Sequence, residues 1–313
     1  MAQETTKSTS WVRTSSSIVE LAALCEVTGQ GDGDHNSAVG SESVFDRKRQ
    51  IGRICWEGYT SLNVEFDLKR TTRQRLHGML ISERLANLDW SAIHASLNDR
   101  GFALTARILN QQECEELVQF YPRDHLFRSH IIMSRYRFGH GDYKYFKYPL
   151  PRIVEELRVR SYPELVPVAN EWNMNLRFRE QFPKSHSAFL AVCKKHAQVR
   201  PTPLLLHYEK GDLNCLHQDI YGAVAFPLQM TCFLSRPRVD YEGGEFVMVE
   251  QQPRAQSKAE VAIAEQGQIL IFATRYRPVK GTRGYYRVAL RHGVSRVKSG
   301  TRFTLGIIFH DGQ

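Results

Sequence analysis

From Leu88 onward, apolar positions recur at intervals that predict elements. Leu88, Trp90, Ile93 and Leu97 follow helical spacing, Asp89 stands where a cap belongs, and Asp99-Arg100-Gly101 ends the run. Phe102 to Leu109 alternates as a strand does. Asn110 then caps a second helix, Gln111 to Phe120, with Cys114, Leu117 and Val118 on one face. Residues 131–148 mix aromatic and polar side chains without a period, which predicts a long loop. Further helices are predicted for Pro151 to Arg160, Glu164 to Asn175 and Ser187 to Ala197. After Thr202 the character changes to short apolar runs: Leu204 to Tyr208, Phe226 to Leu234, Glu245 to Glu250, Val261 to Ile263, Ile269 to Ala273, Tyr286 to Val294 and Arg302 to Phe309. Glycines mark the corners between them. Helices followed by about seven strands predict an α+β fold, a jelly roll preceded by packing helices.

The first part of the chain lacks such periodicity. Residues 1–46 are rich in Ser, Thr and Gly, and residues 47–85 carry basic clusters with little apolar content. The expected organisation is therefore a largely disordered or loosely structured extension over 1–84 and one domain over 85–313. Within that domain, 85–200 is expected to be helical and 201–313 to form the jelly-roll core.

Composition narrows the class. The 313 residues are 42% hydrophobic and 24% charged, an ordinary globular balance. No apolar run approaches the roughly 18 residues of a spanning helix, so no membrane role is expected. The N-terminus lacks the pattern of a secretory signal, and the six cysteines have no paired spacing, which points to reduced thiols and a cytoplasmic location. The net charge of +9 lies entirely after residue 85, because residues 1–85 hold eleven basic and eleven acidic side chains. Gln266 to His310 contains nine basic side chains and no carboxylate. Such a run fits an anionic ligand such as nucleic acid, or equally a solvated sheet face balanced by acids elsewhere.

A metal site of two histidines and one carboxylate needs His-x-Asp at a strand end and a distant histidine on a neighbouring strand. The chain has two His-x-Asp matches, His140-Gly141-Asp142 and His217-Gln218-Asp219. The second has the better context. It follows the strand and turn Leu-Leu-Leu-His-Tyr-Glu-Lys-Gly and precedes the apolar run Phe226 to Leu234. Downstream stand Arg291-His292-Gly293 and, ten residues beyond His292, Arg302 at the start of the last strand. A buried cation there would suit the distal carboxylate of a dicarboxylate. His207 is read as a core or pocket residue, Cys215 as packing, and His310 as a weaker rival to His292.

This order resembles the Fe(II)/2-oxoglutarate-dependent dioxygenase superfamily, closest in layout to its prolyl-4-hydroxylase-like branch. The resemblance covers roughly residues 86–313. It implies a double-stranded β-helix with His217, Asp219 and His292 as iron ligands, Arg302 pairing with the C5 carboxylate of 2-oxoglutarate, and O2 as the oxidant. It also implies that Tyr208, in Tyr208-Glu-Lys-Gly211, hydrogen-bonds the co-substrate. More narrowly, Tyr-Lys-Tyr-Phe (143–146), Asn-Cys-Leu-His-Gln-Asp (214–219), Gly-Thr-Arg-Gly-Tyr-Tyr-Arg (281–287) and Leu-Gly-Ile-Ile-Phe-His-Asp (305–311) resemble a subfamily described as oxygenases acting on alkylated DNA. The implied activity is hydroxylation of a C–H bond, which on an N-methyl group becomes demethylation. Candidate substrate residues are Arg135, Lys144, Tyr145, Lys147, Arg283 and Arg287, which offer cations and stacking faces. Two rival readings stay open: a peptidyl-prolyl or amino-acid hydroxylase, and a non-catalytic jelly-roll binding module whose His/Asp set holds a structural metal.

Overall fold

The computed structural model describes residues 78–313, and the expectations for residues 1–77 lie outside these described residues. The strands in chain order are β1 (Phe102–Leu104), β2 (Phe127–Ile132), β3 (Gly139–His140), β4 (Asp142–Phe146), β5 (Leu204–Tyr208), β6 (Leu213–His217) and β7 (Leu228–Phe233). They continue as β8 (Tyr241–Gly243), β9 (Phe246–Gln251), β10 (Lys258–Ala262), β11 (Ile269–Ala273), β12 (Tyr276–Gly281), β13 (Gly284–Val294), β14 (Val297–Gly300) and β15 (Arg302–Ile308). A seven-stranded antiparallel sheet runs β1-β11-β7-β15-β5-β4-β2, and a second runs β10-β9-β13-β6-β3 with β12 beside β13. Strands far apart in sequence are neighbours in both sheets, which is the expected jelly roll.

Period-2 alternation decides what each face of the larger sheet touches. Leu205, Leu228, Met230, Cys232, Ile269, Ile271, Leu305 and Ile307 join the core with Val154, Leu157, Tyr162, Leu165 and Trp172 of the long helix Arg152–Asn175. On the other face, Phe233, Leu270 and Phe272 pack with Phe246 and Met248 of β9. Between the two sheets, at the end where β6 and β13 meet, a cavity remains open.

Several helix ends follow their sequence signals. Asp89 accepts from the Ala92 amide to cap Trp90–Arg100, and Gly101 ends that helix at φ +80°. Asn110 and Glu113 form a capping box for Gln111–Gln119.

Four expectations need correction. The ordered domain starts before residue 85: the helix Ile81–Ala86 buries Ile81, Arg84 and Leu85. Arg84 reaches across to Glu113 at 2.7 Å and to the carbonyl of Ile108. The predicted strand Phe102 to Leu109 stops at Leu104, because the chain then turns and Ile108 and Leu109 both donate to the Gly267 carbonyl. The two helices predicted over 151–175 are one, running through Pro163 and Pro167. The loop predicted over 131–148 contains β4, which pairs with β5 and extends the larger sheet. The part expected to be helical, 85–200, therefore also supplies strands to the jelly roll. Among the described residues no helix is long and apolar enough to cross a membrane.

Candidate metal centre and its cavity

The cavity, about 200 Å³, is walled on one side by β5, β7 and β15 and on the other by β6 and β13. His217 ends β6 and His292 lies opposite it on β13. Val294 pairs with Asn214, so three residues of β6 advance against two of β13. This bulge turns Asn214 and His217 to the same side and leaves Cys215 and Leu216 exposed. Cys215 is thus a surface thiol and not the packing residue expected.

His217, Asp219 and His292 converge so that one ligand atom from each lies within 4.8 Å of the others. Among the described residues no second cluster of this kind forms. The His217 Nδ1–H donates to the Cys215 carbonyl at 2.8 Å, which directs Nε2 toward Asp219 at 3.5 Å. His292 Nε2 lies 3.2 Å from the other oxygen of Asp219. The His292 ring stacks on Phe246 and meets the edge of Phe272, which keeps this wall dry. Burial opposes the charge on Asp219. The hydrogen bond from His292, the two imidazoles and the hydroxyl of Tyr221 (2.7 Å) outweigh it and hold the carboxyl well below its usual range. Burial and the neighbouring His217 lower the pKa of His292. An anionic carboxylate between imidazoles kept neutral is the donor set a divalent cation requires.

Arg302 opens β15 in the wall facing the triad. It is 1% exposed, and among the described residues none of its three guanidinium nitrogens has a hydrogen-bond partner. Its charge sits among the rings of Tyr208, Phe233 and Tyr241, with the Tyr208 centroid at 5.4 Å. A buried, unpaired guanidinium costs several kcal/mol, so the cavity is built for an anion there. Tyr208 is fully buried, and its hydroxyl accepts from the Asn214 amide at 3.3 Å. Gly244, at φ +61°, turns tightly over the Arg302 stem, where a Cβ would approach Cδ to 2.9 Å.

The other histidines do different work. His140 is exposed on β3, while Asp142 accepts from Tyr121, His130 and His207 on another part of the molecule. His207 is thus a hydrogen-bonded packing residue. His310 is buried, accepts from the Phe226 amide and has its pKa lowered to about 4 by burial.

The candidate substrate residues divide. Arg135 and Lys147 are exposed. Lys144 and Tyr145 are buried, against expectation: the Lys144 ammonium is 2.7 Å from Asp124, and Tyr145 packs between Arg128 and Tyr221. Neither offers a free cation or stacking face. Arg283 lies in the β12–β13 turn, some 30 Å along β13 from His292, and Arg287 stacks on Tyr276. Part of the basic run is neutralised across strands, since Arg277 pairs with buried Glu250 at 2.6 Å. Sequence reasoning missed Phe138, Asn214, Tyr221, Gln229, Thr231 and Thr304, which line the cavity. Gln229 alone carried a signal, as a polar residue inside an apolar run.

Comparison with known proteins agrees with this arrangement. Residues 141–312 match the family described as "Oxygenase, catalysing oxidative methylation of damaged DNA". Two Mycobacterium tuberculosis proteins, from strains CDC 1551 and H37Rv and both named only as uncharacterized, are 45% identical over 166 residues, covering 53% of this chain and 71% of theirs. A Pseudomonas putida prolyl-4-hydroxylase superposes with TM-score 0.45 at 12% identity, covering 72% of this chain and 99% of its own. A Burkholderia pseudomallei 2OG-Fe(II) oxygenase family protein gives TM-score 0.45 at 14% identity, covering 71% and 91%. The family match spans more than half of the chain and takes in the triad and Arg302: the chain belongs to this oxygenase family.

Proposed function

We propose that this oxygenase depends on Fe(II) and 2-oxoglutarate and oxidises an alkyl group on a nucleobase of damaged nucleic acid. The observation that carries the proposal is Arg302, a fully buried cation without a partner among the described residues, in the same cavity as the His217/Asp219/His292 convergence. In this reading His217, Asp219 and His292 hold the metal by one face and leave the other open. Arg302 receives the distal carboxylate of the co-substrate. When bound, the metal, 2-oxoglutarate and O2 supply the oxidation: one oxygen atom enters a substrate C–H bond, and succinate and CO2 leave. On an N-methyl group the hydroxylated carbon then departs as formaldehyde. The protein's part is positioning, charge and the exclusion of water.

Nucleic acid is favoured by the family's description and by the cavity mouth. Tyr136 and Phe138 form a stacked pair, 5.5 Å between centroids, and are 55% and 46% exposed. Phe138 also lines the cavity, and the exposed Arg135 and Arg137 flank the pair. A single-stranded or extruded base can stack there with its phosphates near the arginines. Buried free thiols at Cys114, Cys193 and Cys232 support a cytoplasmic location.

Iron-dependent succinate release tests the proposal. It is expected to rise with a methylated single-stranded oligonucleotide and to vanish in His217→Ala. Stimulation only by a prolyl peptide or a free amino acid would replace the substrate, and absence of succinate would leave a metal-holding module.

A further inference from the structure

Strand β7 reads Leu-Gln-Met-Thr-Cys-Phe, and all six residues are buried. Leu228, Met230 and Cys232 belong to the helix-side core, while Gln229 and Thr231 line the cavity. Gln229 is 3% exposed, and among the described residues its Nε2 has no hydrogen-bond partner. A leucine or methionine would fill this position without leaving a donor unpaired, so the amide is suited to an acceptor that arrives with a ligand.

Its place is fixed from both sides. Gln229 pairs with Phe272 of β11, whose ring meets His292 at 4.8 Å, and with Ile308 of β15. Arg302 lies six residues earlier on β15, about 20 Å along the strand. The cavity therefore has a cationic end and an amide end. We propose that Gln229 is a second anchor for an α-keto dicarboxylate, donating to the carboxylate next to the keto group while Arg302 holds the other. This rests on the co-substrate reading above. A neutral donor suits that end, because a carboxylate bound to a metal has its charge largely met, whereas the distal carboxylate needs a full cation. A second cation beside the triad would instead compete with it for the same carboxylate.

The test is calorimetric titration of 2-oxoglutarate into full-length protein loaded with Mn(II), which permits binding without turnover. In Gln229→Met the Kd for 2-oxoglutarate should rise about 10- to 100-fold, with Mn(II) affinity unchanged. The melting temperature of the ligand-free protein should hold or rise, since an unpaired buried amide has been removed. The isosteric Gln229→Glu, which opposes one carboxylate to another, should weaken binding further. An unchanged Kd in both variants overturns the inference, and so does weaker binding accompanied by a clear fall in melting temperature, which would mark a structural role. Arg302→Ala serves as the control: if it leaves the Kd unchanged, the co-substrate reading itself fails. If it weakens binding and the Gln229 variants do not, only the second anchor fails.

Discussion

Asp219 is the centre of the candidate metal site, and its surroundings decide what kind of ligand it is. One carboxylate oxygen faces His292 and the other accepts from Tyr221, so its orientation is set before any cation binds. A hydrogen bond to a charged acceptor contributes about 1.5–3 kcal/mol. Tyr221→Phe should therefore weaken Fe(II) or Mn(II) binding roughly 10- to 100-fold, measured by anaerobic titration, without unfolding the protein. Unchanged affinity would mean that the two imidazoles alone orient the carboxylate. The triad and Arg302 were legible in the sequence because their roles need specific residue types at constrained spacings. Tyr221 and Gln229 were not, because Tyr and Gln are common and only strand register turns these two toward the cavity. Lys144 and Tyr145 were misread for the complementary reason: a polar-aromatic segment looks solvated until Asp124 and Tyr221 are found beside it.

At the scale of elements, β4 carries the same lesson. Its pattern, Asp-Tyr-Lys-Tyr-Phe, is apolar on neither face by composition, yet it pairs with β2 and β5. Asp142 binds it to the rest through Tyr121, His130 and His207. Burial raises the pKa of that carboxyl, but the hydrogen bonds from His207, Tyr121 and His130 prevail and bring it down to about 2. A depressed carboxyl stabilises the fold above its unfolded pKa, near 4, and loses that contribution as pH falls toward 2. Asp142→Asn should remove on the order of 2 kcal/mol at neutral pH and flatten the loss of stability between pH 4 and 2, followed by denaturant unfolding. An acid limb identical to that of the parent protein would rule this network out as its source. The helix Arg152–Asn175 is the opposite case, where sequence rules predicted a break at the prolines. The carbonyl freed by Pro163 belongs to Val159, which is 40% exposed and within reach of water. Burial of Tyr162, Leu165, Val166 and Trp172 on the far side outweighs about 3 kcal/mol per proline.

At the scale of the molecule, the helix Ile81–Ala86 marks where the domain starts. A protein beginning at Met79 should melt within a few degrees of the full chain. One beginning at Leu88 loses Ile81, Leu85 and the Arg84–Glu113 pair, and should melt about 10 °C lower or more. Equal melting of the two would show that this helix is peripheral. Binding of a single-stranded oligonucleotide should weaken with salt, and Arg135→Glu should reduce the slope by about 0.7. The sequence by itself determined the jelly-roll class, most strand positions, two helix caps, the metal triad and the co-substrate arginine. These rest on local periodicity and on chemistry that few residue types can perform. Tertiary structure alone decided which cations are free and which lie paired, as Arg277 is with Glu250 from outside the basic run. It alone decided that β4 joins the larger sheet and that a bulge in β6 turns His217 and Asn214 to one side. Burial and register are properties of strands brought together from distant parts of the chain, and no local pattern of side chains encodes them.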